Sequence, residues 1–131
     1  QAKWTKSIYE VYEDASINKD WTEILKNECD KLGLDYFTSP YDFESVDLVD
    51  SFVELYKIGS GDASWLEIIE YVLEKGKPTL LATGACDLDD VKRMMEFALS
   101  KTSDIVLMQC NTNIEPKIKG CFLLFSYMAL L

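Results

Sequence analysis

Small hydroxyl, glycine and amide residues, together with one lysine, lie at or just beyond the ends of four apolar runs of the 131-residue chain. Such runs are typical of buried strands, and in parallel α/β folds ligands bind at the edge where the strands end. Hydroxyls, backbone N–H groups of glycine turns and a lysine are suited to bind an oxyanion such as phosphate. The pattern therefore predicts an anion site, although the same residue types also serve as ordinary turn and cap residues. The residues are Thr38–Ser39, Lys57 with Ser60, Thr83–Gly84 and Asn111–Thr112–Asn113.

Lys57 interrupts the otherwise apolar stretch Leu55–Gly59. Burying a cation without a partner is costly, so the lysine is expected either to reach an anionic ligand or to point into solvent from an edge strand. The ligand is favoured, because a compact ammonium among hydroxyl donors suits a phosphate. Gly59–Ser60–Gly61 is not a dinucleotide-binding motif, since a third glycine and an acidic ribose partner are missing. Asp62 is a candidate ligand for substrate hydroxyls or a metal ion, or else a solvated cap.

The composition excludes several classes of function. Thirteen basic and 23 acidic residues give a net charge of −10, which repels nucleic acid and anionic lipid, so neither is an expected partner. The absence of histidine excludes histidine-dependent catalytic triads and the commonest metal ligand. Four cysteines without a C-x-x-C pair, and no signal-peptide pattern, indicate a cytoplasmic protein. The apolar run Cys121–Leu131, eleven residues long, is too short to span a bilayer.

The elements that must position these residues alternate along the chain. Helical spacing of apolar residues, with Asp42, Ser64 and Asp87 as caps and Gly33 and Gly76 as terminators, predicts five helices. We expect them at Ile8–Tyr12, from Trp21 to Leu32, from Asp42 to Phe52, at Trp65–Lys75 and from Asp87 to Ser100, with Trp21, Trp65, Met94 and Met95 in the core.

Four short runs between the helices predict strands: Leu34–Thr38, Leu55–Ile58, Pro78–Ala82 and Asp104–Cys110. Strands that are nearly continuous apolar runs and alternate with helices indicate a parallel sheet. Four such units are half of an eight-stranded barrel or most of a small doubly wound sheet, and periodicity alone leaves both architectures open.

Four motifs in this order resemble the N-acetylneuraminate (sialic acid) synthase family, and the resemblance covers about Lys3 to Ile114. The stretch Ser7–Asp14 is also similar to the family's Y-E-x-Y segment. The motifs are Phe37–Asp42 (FTSPYD), Tyr56–Asp62 (YKIGSGD), Lys77–Gly84 (KPTLLATG) and Met108–Asn113 (MQCNTN).

The resemblance implies a partial (β/α)8 TIM barrel in which the four strands are the third to the sixth. It also implies a transferase that condenses phosphoenolpyruvate with N-acetylmannosamine or a related N-acetyl sugar, giving a nonulosonic acid and phosphate, with Mn²⁺ or Mg²⁺ as cofactor. Asp62 corresponds to a position that contacts the acceptor sugar, and Ala82 to one where many relatives have serine. The positions that hold or line the phosphoenolpyruvate phosphate correspond to Ser39, Lys57, Ser60, Thr83, Thr112 and Asn113.

Departures from the family pattern limit what the chain is expected to do. The family's metal-binding histidines and the strands carrying its upstream acidic residue have no counterpart, and residues 115–131 diverge from the pattern. We therefore expect an internal fragment: a partial barrel over residues 1–114 and an apolar segment 115–131, as truncation or a frameshift would produce. It is expected to be inactive and to self-associate through unpaired strand edges. A non-catalytic anion-binding or scaffolding remnant and a related deoxy-sugar-acid synthase are the alternatives.

Overall fold

The computed structural model describes residues 5–110, which divide into two compact units between Asp35 and Tyr36. The first unit contains α1 (Ile8–Ala15) and α2 (Trp21–Leu32). A capping box starts α1, in which the Glu10 N–H donates to the Ser7 hydroxyl and the Ser7 N–H donates to the Glu10 carboxylate. Gly33 ends α2 with a φ of 67°, as predicted.

The predicted burial of Trp21 was wrong, because 53% of this residue is exposed. Ile24 and Leu32 on the same helix are also exposed, and Thr22 is the buried residue of α2. Two short helices enclose too little volume to bury an apolar face between themselves. Helical spacing therefore identified the helix correctly but did not determine what covers it.

The second unit is an α/β arrangement around a parallel sheet, as predicted. The three strands lie in the order β1-β2-β3, and Tyr56, Lys57 and Ile58 pair with Thr79, Leu80 and Leu81. A 3₁₀ turn, Ser60–Asp62, follows β1. The elements in chain order are α3 (Phe43–Asp50), β1 (Tyr56–Ile58), α4 (Leu66–Leu73), β2 (Thr79–Ala82), α5 (Leu88–Leu99) and β3 (Ile105–Met108).

The predicted strand Leu34–Thr38 is not a strand in the described part of the chain. One backbone hydrogen bond, from the Lys57 N–H to the Thr38 carbonyl at 3.3 Å, joins this segment to β1. A single bond does not make a ladder, and Pro40 just beyond it has no N–H to donate. Thr38 therefore lies beside β1, and the segment does not pair with β1 as a strand.

Two of the three predicted helix N-caps are confirmed. Asp42 accepts from the Ser45 N–H at 2.6 Å, and Asp87 accepts from the Asp90 N–H at 2.8 Å. Ser64 does not cap α4: that position is occupied by Trp65, without a side-chain hydrogen bond. The Trp65 N–H instead donates to the Asp62 carbonyl at 2.9 Å, so the preceding 3₁₀ turn sets where the helix begins.

The core lies between one face of the sheet and helices α3, α4 and α5. Tyr56 and Ile58 of β1 are buried on this face, and the intervening Lys57 is only half-buried. Lys57 pairs with Leu80, which pairs with Val106, so these residues form a row on the opposite face of the sheet. Val106 is 53% exposed. The buried side chains from the helices include Val46, Val49, Ile68, Ile69, Val72, Val91, Met94 and Ala98.

No helix among residues 5–110 is both long enough and apolar enough to cross a membrane.

Candidate functional site

The carboxyl ends of the three strands lie together along one edge of the sheet, which we call the carboxyl edge. Ile58 of β1 pairs with Leu81, and Ala82 of β2 pairs with Met108. Because the strands are parallel, the segments that follow them emerge at the same edge. These segments are Gly59–Asp62, Thr83–Gly84 and Gln109–Cys110.

The structure brings several of the predicted binding residues to this edge. Ser60 follows β1 by two residues and Thr83 follows β2 directly, while Lys57 is the middle residue of the three-residue strand β1. The hydrogen bond from the Lys57 N–H to the Thr38 carbonyl holds the segment containing Ser39 beside β1. Thr112 and Asn113, with the neighbouring Asn111, lie outside the described residues. The binding roles of all these residues remain predictions.

Among the described lysines of the second unit, Lys57 differs from the others in its electrostatic partners. The other four each form an ion pair with a carboxylate: Lys75 with Asp47, Lys77 with Asp50, Lys92 with Asp89 and Lys101 with Glu70. Lys57 makes neither an ion pair nor a side-chain hydrogen bond with any residue in the range 5–110. A half-buried lysine without a carboxylate partner among the described residues, in a chain with a net charge of −10, is a suitable binding group for an anion.

Thr83 is buried, with 2% of its surface exposed, and it is tied to the end of β3. Its N–H and its hydroxyl both donate to the Met108 carbonyl, at 3.0 and 3.2 Å. A threonine hydroxyl has a single hydrogen to donate, so this one is already engaged. Thr83 therefore fixes the turn at the end of β2, and in this arrangement neither its N–H nor its hydroxyl is left to donate to an anion.

Asp62 ends the 3₁₀ turn that begins at Ser60. Its N–H donates to the Gly59 carbonyl at 3.1 Å, and its carbonyl accepts from Trp65. Both Ser60 and Asp62 are half-buried beside the end of β1. A carboxylate at this point is suited to accept hydrogen bonds from sugar hydroxyls, whereas a single carboxylate is an incomplete metal site.

Two cysteines at the carboxyl edge were missed by the sequence analysis as site residues. The Cys110 sulfur accepts from the Gly84 N–H at 3.1 Å, and the Cys86 thiol donates to the Ser60 carbonyl at 3.9 Å. Burial, followed by the nearby Asp90, raises the pKa of Cys86. Their positions in the sequence could have indicated them, because Cys86 lies four residues after the end of β2 and Cys110 lies two residues after the end of β3.

A different polar cluster lies at the amino end of the sheet. The Tyr56 hydroxyl donates to Asp50 Oδ1 at 2.8 Å, and the Lys77 ammonium donates to the same oxygen at 2.9 Å. The hydrogen bond from Lys77, and then that from Tyr56, lowers the pKa of Asp50, while burial and Asp50 raise the pKa of Tyr56. Because every member has a partner, this cluster joins α3 to the sheet and is structural.

Comparison with known proteins connects this geometry to one family. A model of the NeuB family matches residues 1–125. The chain is 29% identical to the pseudaminic acid synthase of Helicobacter pylori, covering 92% of this chain and 36% of the relative. It is 28% identical to the N-acetylneuraminate-9-phosphate synthase of Drosophila melanogaster, covering 92% and 33%. The chain thus spans about a third of the length of these relatives.

A solved structure agrees with the fold. The N-acetylneuraminic acid synthetase of Leptospira borgpetersenii superposes with a TM-score of 0.76 at 21% identity, over 82% of this chain and 38% of that one. The described sheet and its helices are therefore part of a (β/α)8 barrel, and the doubly wound alternative is excluded. Since the family model matches residues 1–125, this chain belongs to the NeuB family, and the proteins it resembles include sialic and pseudaminic acid synthases.

Proposed function

We propose that this chain forms the phosphoenolpyruvate-binding part of a nonulosonic acid synthase. Its relatives carry the names of pseudaminic acid, legionaminic acid and N-acetylneuraminate-9-phosphate synthases, which share the formation of nine-carbon sugar acids. The observation that carries the proposal is Lys57, a half-buried lysine of β1 without a carboxylate partner among residues 5–110.

The proposed reaction joins phosphoenolpyruvate to an N-acetyl sugar such as N-acetylmannosamine. C3 of phosphoenolpyruvate forms a bond to the aldehyde carbon of the sugar, water adds at C2, and the C2–O bond breaks to release phosphate. Lys57 offsets the phosphate charge, and Asp62 accepts hydrogen bonds from the sugar. Ser39, Ser60, Thr112 and Asn113 supply hydrogen-bond donors, and Thr83 holds the turn that follows β2.

The metal that the family resemblance implies, Mn²⁺ or Mg²⁺, does not fit the residues described. Residues 5–110 contain no group of three or more His, Cys, Asp or Glu side chains arranged to hold an ion. None of these residues is therefore assigned to a metal.

The chain is proposed to bind phosphoenolpyruvate without turning it over. Complete synthesis is a proposal for the whole protein, because this chain spans about a third of its relatives' length. With phosphoenolpyruvate, N-acetylmannosamine and Mn²⁺, we expect no phosphate release above a protein-free control. Release that is abolished by Lys57→Ala would contradict this expectation.

Isothermal titration calorimetry with phosphoenolpyruvate tests the proposal. A hydrogen bond to a charged group contributes roughly 1.5 to 3 kcal/mol, so Lys57→Ala should weaken binding about tenfold or more. Lys92→Ala is the matched control, because it removes the same charge from the exposed side of α5, where Lys92 contacts Asp89 at 3.6 Å. Equal affinities of the two variants, or no binding to the unaltered chain, would contradict the proposed function.

A further inference from the structure

We infer that Cys86 and Cys110 are positioning residues of the proposed phosphoenolpyruvate site, whose sulfur atoms hold the three strand-end segments in register. The inference rests on the proposed function for the identity of the ligand. It concerns two cysteines that touch backbone groups of the carboxyl edge rather than the ligand itself.

Cys110 fixes one side of the turn that follows β2. Its sulfur accepts from the Gly84 N–H at 3.1 Å, while the adjacent Thr83 donates twice to the Met108 carbonyl. The end of β3 therefore holds both residues of the turn. Because the Gly84 N–H donates to the Cys110 sulfur, the orientation of this peptide group in the turn depends on the position of that sulfur.

Cys86 fixes the other side of the same turn. Its N–H donates to the Thr83 carbonyl at 3.0 Å, which closes the turn, and its thiol donates to the Ser60 carbonyl at 3.9 Å. Ser60 begins the 3₁₀ turn after β1, so the thiol links the segments that follow β1 and β2. The two sulfur contacts, on either side of one turn, thus connect all three strand ends.

The competing explanation is that both cysteines only fill space. Free cysteine packs well as a small apolar side chain, and Cys86 does contact the hydrophobic core. A side chain that only fills space needs the right volume. It does not need to accept a hydrogen bond from the Gly84 N–H or to donate one to the Ser60 carbonyl. Alanine and serine substitutions separate the two explanations, because serine keeps a donor and an acceptor whereas alanine keeps neither.

The expected effect on ligand affinity is modest, since thiols are weak hydrogen-bonding groups. We expect Cys110→Ala and Cys86→Ala each to weaken phosphoenolpyruvate binding roughly fivefold, which corresponds to about 1 kcal/mol at 1.4 kcal/mol per factor of ten. Cys110→Ser and Cys86→Ser should restore most of the loss. Cys29→Ala, on α2 in the other unit, is the matched control and should leave the affinity unchanged.

The experiment combines three measurements on the full 131-residue chain and these variants. Calorimetry gives the affinity for phosphoenolpyruvate, and hydrogen exchange followed by NMR gives the protection of the Gly84 amide. Iodoacetamide labelling of the unaltered chain, mapped by mass spectrometry, shows whether phosphoenolpyruvate slows modification of Cys86 and Cys110 but not of Cys29. Labelling needs no substitution, so it remains informative if a variant fails to fold.

The inference predicts weaker binding in the alanine variants, rescue by serine, faster exchange of the Gly84 amide in Cys110→Ala, and ligand protection of the two thiols. Unchanged affinity and exchange in the alanine variants, with binding to the unaltered chain intact, would overturn the inference alone. Equal losses in the serine and alanine variants would also overturn it, in favour of space filling. Absence of binding to the unaltered chain would contradict the proposed function and this inference with it.

Discussion

Replacing Tyr56 by phenylalanine should destabilise the second unit by about 1.5 kcal/mol. The side chain is fully buried at the amino end of β1, and its hydroxyl donates to Asp50 Oδ1 at 2.8 Å. A hydrogen bond to a charged group contributes roughly 1.5 to 3 kcal/mol, and we take the lower value because Lys77 still binds Asp50 in the variant. For a unit of this size, the melting temperature should fall by about 6 to 12 °C.

Tyr71→Phe is the matched control for this substitution. The Tyr71 hydroxyl also donates to an aspartate, Asp47, at 2.9 Å, but that carboxylate is exposed. Exposed pairs contribute little, so we expect a much smaller loss from Tyr71→Phe than from Tyr56→Phe. Urea denaturation of both variants measures the difference. Equal losses, or a larger loss from Tyr71→Phe, would refute the reasoning that burial makes the Tyr56 bond the stronger one.

Three further predictions concern charge, capping and assembly. The pKa of Asp50 is lowered in the folded chain, so the ionised carboxylate stabilises the fold at pH values above the ordinary aspartate pKa. Urea denaturation should therefore show that the destabilisation caused by Asp50→Asn becomes smaller as the pH falls below about 4. Asp87→Ala should cost about 1 kcal/mol in the same assay, whereas Ser64→Ala should cost almost nothing because Ser64 caps no helix. The chain should self-associate in analytical ultracentrifugation, and Val106→Glu on the exposed sheet face should shift the equilibrium toward monomer. A monomeric unaltered chain would contradict this prediction.

Local chemistry made much of the fold predictable from the sequence. Asp42, Asp87 and Gly33 marked helix boundaries correctly, because caps and left-handed terminators depend on neighbouring residues alone. The strands Leu55–Ile58, Pro78–Ala82 and Asp104–Cys110 were located to within a few residues, since buried parallel strands are continuous apolar runs.

The features that the sequence did not reveal depend on contacts between distant residues. The segment Leu34–Thr38 has the composition of a strand, but strand formation requires a ladder of hydrogen bonds, and it makes one bond to β1. Trp21 has the spacing of a core residue without a core to enter in its own unit. The sulfur contacts of Cys86 and Cys110 join residues 26 positions apart, which no local pattern indicates.

The most direct test of the central claim, that phosphoenolpyruvate binds at the carboxyl edge, is an NMR titration of the isotopically labelled chain. We predict that phosphoenolpyruvate shifts the amide resonances of Lys57, Gly59–Asp62 and Thr83–Gly84, and that Lys57→Ala removes these shifts. Pyruvate, which lacks the phosphate, should produce much smaller changes. Shifts that are concentrated around Asp50 and Lys77 at the opposite end of the sheet, or that persist in Lys57→Ala, would contradict the account.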